Sequence, residues 1–135
     1  MNARLGVWLA GFALVLSAAP VMAHHSFAAE YDANKSVTLK GAVTKIEWTN
    51  PHARFYVDVK DDKGTVTNWN LELASPNVLT RNGWTRKSLN VGDQIVVEGA
   101  LAKDGSKMAN ARVVTLANGK RVFAGSSGGD GGATQ

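Results

Sequence analysis

The sequence predicts a mainly β fold: a small closed barrel of five to six strands, with one short helix between the third and fourth. Three observations predict it. Apolar residues recur with period two along several separate stretches, as on strands that bury one face. Clusters of Gly, Asn and Asp punctuate those stretches as turns. A single segment with a Ser-Pro start and a Gly stop interrupts them after the third stretch.

The first strand carries Val37, Leu39, Gly41 and Val43 on one face, whereas Ile46 and Trp48 continue the apolar pattern on the opposite phase. A bulge or bend near Thr44-Lys45, aided by Gly41, reconciles the two halves. Thr49-Asn50-Pro51-His52 is turn chemistry. Phe55, Val57 and Val59 then alternate with Arg54, Tyr56, Asp58 and Lys60, which reads as a half-buried second strand. Asp61-Asp62-Lys63-Gly64 closes a hairpin. On the third strand, Trp69, Leu71 and Leu73 share one face, and Asn68, Asn70 and Glu72 share the other.

Ser75 is a good N-cap, Pro76 suits the first helical position and Gly83 suits the left-handed position after the end, so a short helix is expected over 77–82. Val91-Gly92-Asp93 turns into a fourth strand, 94–101, carried by Ile95, Val96 and Val97. Lys103-Asp104-Gly105-Ser106 is a further hairpin loop and Ala109 to Leu116 the fifth strand. After Asn118-Gly119, Arg121-Val122-Phe123 forms a short edge strand. Three strands, a helix and two strands is the element order of the OB-fold, a five-stranded Greek-key barrel. The alternative, a two-sheet sandwich, usually needs about seven strands.

The flanks read differently. Arg4 precedes an uncharged apolar run from Leu5 to Ala19, Pro20 breaks it, and Val21-Met22-Ala23 offers a cleavage site. The run falls short of the ~20 residues that span a bilayer. Residues 1–23 are therefore expected to be a cleaved signal peptide and the product a soluble periplasmic protein, not inserted in the membrane. Residues 24–36 lack periodicity and are expected to form a flexible N-terminal arm. The barrel is expected over 37–124, followed by a disordered Gly/Ser-rich tail over 125–135.

The chain has no cysteine, which removes disulfides, thiolate metal sites and a Cys nucleophile. Loss of Arg4 with the leader lowers the formal charge of +4 by one, and no run of five Lys or Arg occurs. A dedicated nucleic-acid binder carries a stronger basic footprint, so nucleic acid is not expected as a partner.

Cleavage after Ala23 would make His24 the N-terminus. Its α-amine and ring Nδ1 could chelate one metal, with His25 adjacent and His52 as a second imidazole. All-nitrogen ligation of this kind suits Cu(II). The other reading has His24 and His25 in a solvated arm and His52 in a turn. Asp58 and Glu72 are the acids nearest a candidate face, yet both sit on the outward phase with nothing to indicate burial, so catalysis is not expected. No Gly-x-Ser-x-Gly, His-Glu-x-x-His, phosphate loop or dinucleotide fingerprint occurs. OB-type barrels commonly take ligands across strands two and three. Arg54, Tyr56, Asn68, Asn70 and Glu72 would line that face, which suits a small polar ligand. Trp48, Trp69 and Trp84 are expected in the core.

His24-His25-Ser26-Phe27, Val37-Thr38-Leu39-Lys40-Gly41, Trp48-Thr49-Asn50-Pro51-His52, Trp69-Asn70-Leu71-Glu72-Leu73, Gly83-Trp84-Thr85-Arg86 and Val91-Gly92-Asp93 together resemble a family of small secreted bacterial proteins of unknown function. The resemblance covers about residues 24–125, and the Trp-Thr-Asn-Pro-His string is its most specific part. At Arg54 the chain departs from the aromatic or aliphatic residue expected there. The resemblance implies an OB-like barrel behind a signal peptide and supplies no activity. The functional expectation is thus a periplasmic binding or accessory module without turnover, whose partner is a small polar ligand, a metal ion such as copper or an envelope protein. The alternative is a structural or interaction domain with incidental histidines.

Overall fold

The computed structural model describes residues 27–125. The expected signal peptide, His24, His25 and the tail from 126 onward lie outside them. The chain forms one helical turn, α1 (Phe27–Glu30), then β1 (Tyr31–Glu47), β2 (Arg54–Lys60), β3 (Val66–Glu72), the short helix α2 (Pro76–Arg81), β4 (Gln94–Ala102), β5 (Met108–Thr115) and β6 (Arg121–Phe123).

Strand order is β3-β2-β1-β4-β5-β6, and a further pairing of β3 with β5 closes the sheet on itself. That closing pair is parallel, whereas the other neighbours run antiparallel. This connectivity is the OB-fold barrel, with the helix between β3 and β4. The length of β1 follows from serving two partners: its C-terminal part pairs with β2 from Ala42 to Glu47, and its N-terminal part pairs with β4 from Tyr31 to Ala42. The register with β2 jumps between Val43 and Lys45, so Thr44 bulges where the apolar phase changes in the sequence. Gly41 lies just before the bulge, where a Cβ would overlap the backbone carbonyl of Asp58.

The barrel interior is filled by Leu39, Val43, Phe55, Val57, Leu71, Ile95, Val97 and Val114, with Ala109 and Ala111 where the strands approach. Leu79, Trp84 and Leu89 extend this core from α2 and the turns after it. Ser75 caps α2 by accepting the Val78 N–H at 3.4 Å. Gly83 ends the segment at φ +86°, the left-handed conformation that favours glycine. The Trp84 indole N–H donates to the Phe123 carbonyl at 2.7 Å and ties this segment to β6. Trp84 is buried, while Trp48 and Trp69 are half-buried against the core.

One boundary differs from expectation. Strand β1 begins at Tyr31, six residues earlier than the period-two pattern indicated, and residues 27–30 form α1. The cause is a break in register: Tyr31 pairs with Ala102, but the next paired residue is Ser36, opposite Ala100. Residues 32–35 therefore show no alternation to read. Tyr31 is 1% exposed, yet it lies apart from the barrel core, in a second cluster with Ala100 and Ala102 that Phe27 and Met108 flank.

Candidate functional site: a polar ladder on the outer face

The register of β2 with β3 sets Arg54 opposite Glu72, Tyr56 opposite Asn70 and Asp58 opposite Asn68. Residues directly opposite on an antiparallel pair share a face. All five residues expected for ligand contact, Arg54, Tyr56, Asn68, Asn70 and Glu72, therefore stand together on one outer ladder. Phe55, Val57 and Leu71 point the other way, into the core.

The ladder continues around the barrel. Asn110 lies beside Glu72 across the parallel β3–β5 pair, Ala100 beside Asn110 on β4, and Glu47 beside Arg54 on β1. The Arg54 guanidinium donates from Nη2 to Glu72 Oε2 at 2.5 Å and from Nη1 to Asn70 Oδ1 at 3.2 Å. The Tyr31 hydroxyl donates to Glu72 Oε2 at 3.1 Å, and Asn110 Nδ2 donates to Glu72 Oε1 at 3.4 Å. Further along, Tyr56 donates to Glu47 at 3.4 Å while the Lys45 ammonium lies 5.1 Å above the Tyr56 ring. Asn68 Nδ2 donates to Asp58 at 2.7 Å and to the hydroxyl of Thr44 on the bulge at 3.1 Å.

The expectation that this face is uniformly solvated fails at one end. Along β3, Asn68 is exposed, Asn70 half-buried and Glu72 only 5% exposed. The Tyr31 side chain lies over that end, with α1 packed beside it through Phe27, a covering that alternation along β3 could not reveal. Burial, and secondarily the charge of Glu72, holds the Tyr31 phenol well above its ordinary pKa. At the open end, the Lys45 ammonium, 2.5 Å away, holds the Glu47 carboxyl below the usual carboxylate range. A cleft of about 370 Å³ opens beside the covered end, between α1 and the β4–β5 turn, and its lining includes Tyr31, Arg54 and Met108.

Asp58 and Glu72 are not a carboxylate pair. Asp58 faces Asn68, four residues before Glu72, so the two stand roughly 13 Å apart at about 3.3 Å per strand residue. Acid–base pairs of glycoside hydrolases stand within about 10 Å. Glu72 also accepts from three donors, which makes it a clamp between strands.

His52 is half-buried in the β1–β2 turn, with Nδ1 3.2 Å from the Leu73 carbonyl. That contact is a hydrogen bond when Nδ1 carries the proton, which leaves Nε2 as the basic nitrogen. No group of three His, Asp or Glu side chains placed to hold a metal ion occurs among the described residues.

Tyr31, Asn110 and Glu47 belong to the ladder but were not expected there. Asn110 had a legible signal, a polar residue between the small apolar Ala109 and Ala111. Tyr31 had only its spacing of four from Phe27, with which its ring stacks at 5.7 Å.

A model of a family of unknown function, DUF6152, matches residues 13–111. No curated protein matches the chain. Among solved structures it is similar to the mitochondrial single-stranded DNA binding protein Rim1 of S. cerevisiae in two crystal forms. Both are 10% identical and cover 61% of this chain, with 92% and 91% of Rim1 covered and TM-scores of 0.48 and 0.46. It is also similar to the N-terminal domain of PriB from Thermoanaerobacter tencongensis, at 21% identity, 62% of this chain, 96% of that one and a TM-score of 0.42. The expectation of no nucleic-acid partner is corrected here, because single-stranded DNA binding proteins stand among the structures this barrel resembles.

Proposed function

We propose that this chain, which belongs to the DUF6152 family of unknown function, is a binding module without catalytic turnover, exported to the periplasm, whose contact surface is the outer ladder of β2 and β3. The observation that carries this reading is the ladder's division of labour. Its buried end, Arg54, Glu72, Asn110 and Tyr31, is closed on itself by hydrogen bonds. Its open end offers Tyr56, Asn68 and Asn70 side by side on paired strands, with Lys45 alongside. A rigid row of amide and hydroxyl groups beside an aromatic ring supports recognition of an extended polar ligand. A buried carboxylate engaged by three donors supports a role in holding strands rather than in proton transfer.

The test is a ¹⁵N NMR titration of the exported protein with an oligodeoxythymidylate, an oligosaccharide and a Ser/Gly-rich peptide. Shifts concentrated at Tyr56, Asn68 and Asn70 with one of the three, and lost in Tyr56→Ala, are expected. Shifts confined to another face, or none with any probe, overturn the reading. Mass spectrometry of the periplasmic fraction tests export and is expected to find His24 as the first residue. An intact leader there overturns it.

A second reading adds copper at the proposed N-terminus. The observation that favours it is the 3.2 Å contact of His52 Nδ1 with the Leu73 carbonyl, which orients the ring with Nε2 directed away from that carbonyl, as in ligating histidines held by a backbone oxygen. Cu(II) titration of the exported protein should give one site, lost in His24→Ala and weakened in His52→Ala. Sub-micromolar binding unchanged by both substitutions excludes it.

A further inference from the structure

We propose that α1 and Tyr31 form a strap that covers one end of the ladder and lifts as a unit, exposing Arg54, Glu72 and Asn110 and so lengthening the contact surface. The proposal deepens the binding reading and rests on it for its purpose, though not for its mechanics.

Four observations carry it. First, Tyr31 is buried outside the barrel. Its apolar neighbours Ala100, Ala102, Phe27 and Met108 form a cluster separate from the main core. Removing the ring from this cluster leaves Phe55, Val57, Leu71 and the rest of the interior in place.

Second, a slack link joins the strap to the barrel. Between the pairs Tyr31–Ala102 and Ser36–Ala100, β4 contributes one residue and β1 contributes Asp32, Ala33, Asn34 and Lys35. Ala33, Asn34 and Lys35 are exposed. The Asn34 N–H is held by the Asp32 carboxylate at 3.0 Å, a local turn. Such a link absorbs a change in backbone direction without disturbing the pairing of residues 36–47.

Third, the polar groups beneath the strap remain partnered without it. Glu72 keeps Arg54 and Asn110 when Tyr31 leaves, so no charge is stranded. The strap is fastened along its far side, by the pairing of Tyr31 with Ala102, by the Lys103 N–H, which donates to the Glu30 carbonyl at 2.9 Å, and by the Lys103 ammonium, which donates to the Ala28 carbonyl at 2.5 Å. Lys103 belongs to the exposed β4–β5 turn and can turn to solvent.

Fourth, the cleft of about 370 Å³ lies between α1 and that same turn, with Tyr31 and Arg54 among its lining residues. A ligand on the ladder can therefore reach the edge of the strap, and whatever binds the uncovered surface shifts the strap toward its lifted state.

Two measurements on the exported protein test the strap without reference to a ligand. In hydrogen exchange, the Lys103 amide, which donates to the Glu30 carbonyl, and the Tyr31 amide should open about 100-fold more often than those of β1 beyond Val37, with little dependence on denaturant, as for local opening. Equal opening with equal denaturant dependence would show that the strap leaves only with global unfolding and overturns the proposal. In the second, phenylglyoxal modification of arginine is followed residue by residue. Tyr31→Ala should accelerate modification of Arg54 about tenfold while Arg81 and Arg86 keep their rates, and Tyr31→Phe should fall between. An unchanged Arg54 rate, or acceleration of all arginines together, overturns the proposal. Should the ladder prove to bind nothing, both measurements keep their expected values, so failure of the binding reading and failure of the strap are separable.

Discussion

Arg54 and Glu72 face each other across β2 and β3 and join in a 2.5 Å ion pair, with the Glu72 side chain 7% exposed and that of Arg54 27%. The asymmetry defines the pair. Glu72 sits under Tyr31 and beside Asn110, and Arg54, directly opposite and partly exposed, neutralises it. A cation at this register position balances the carboxylate across the strand pair.

Removing one partner of this pair strands the other. Glu72→Gln and Arg54→Met are each expected to destabilise the domain by about 2 kcal/mol, below the ~3–5 typical of a fully buried pair because Arg54 keeps some water. The double variant Arg54→Met/Glu72→Gln should lose clearly less than the sum of the two single losses. Urea denaturation of all four proteins checks this, and strictly additive losses would show the pair to be uncoupled.

Tyr31 predicts an alkaline instability. A phenol whose pKa is raised by folding contributes stability that is complete below its unfolded value near 10 and is lost as pH climbs toward the folded value. The melting temperature should therefore fall from about pH 10 upward, and Tyr31→Phe should flatten that fall relative to the parent. Lysine titration affects both proteins alike. Circular dichroism melts between pH 8 and 12 give the comparison, and parallel curves would refute the assignment.

At Gly41 the obstruction is backbone, so rotamer adjustment gives no relief. Gly41→Ala should separate β1 from β2 beside the Thr44 bulge and cost about 2–3 kcal/mol, as overpacking does. That corresponds to roughly 10 °C or more in melting temperature for a domain of this size. A change under 2 °C would mean that the strands part without penalty.

Trp84→Phe retains a ring in the end of the core but removes the donor to Phe123. The half-exposed neighbourhood of β6 lets water replace part of the bond, so a loss of about 1–2 kcal/mol is expected. Faster amide exchange in 121–124, with the barrel strands unchanged, would identify the bond as the tether of β6. Uniform acceleration would place the effect in core packing instead.

Much of this architecture was legible because each element carried its own signal. The phase change between Val43 and Ile46 located the bulge, and Ser75, Pro76 and Gly83 bracketed the helix. The alternation in β2 and β3 by itself assigns Arg54, Tyr56, Asn68, Asn70 and Glu72 to one face. Tyr31 was invisible for a matching reason. Its neighbours 32–35 bulge from the sheet, and its partners Ala100, Ala102 and Glu72 lie from 41 to 71 positions away.

Local periodicity and turn chemistry determine which residues form strands and which side each residue takes, because both depend on neighbours one to four positions apart. What covers a face is decided by long-range pairing. The sequence by itself therefore specified the barrel and its polar ladder. Only the closure of β3 on β5 and the pairing of Tyr31 with the end of β4 turned one end of that ladder from a solvated surface into a buried, hydrogen-bonded network.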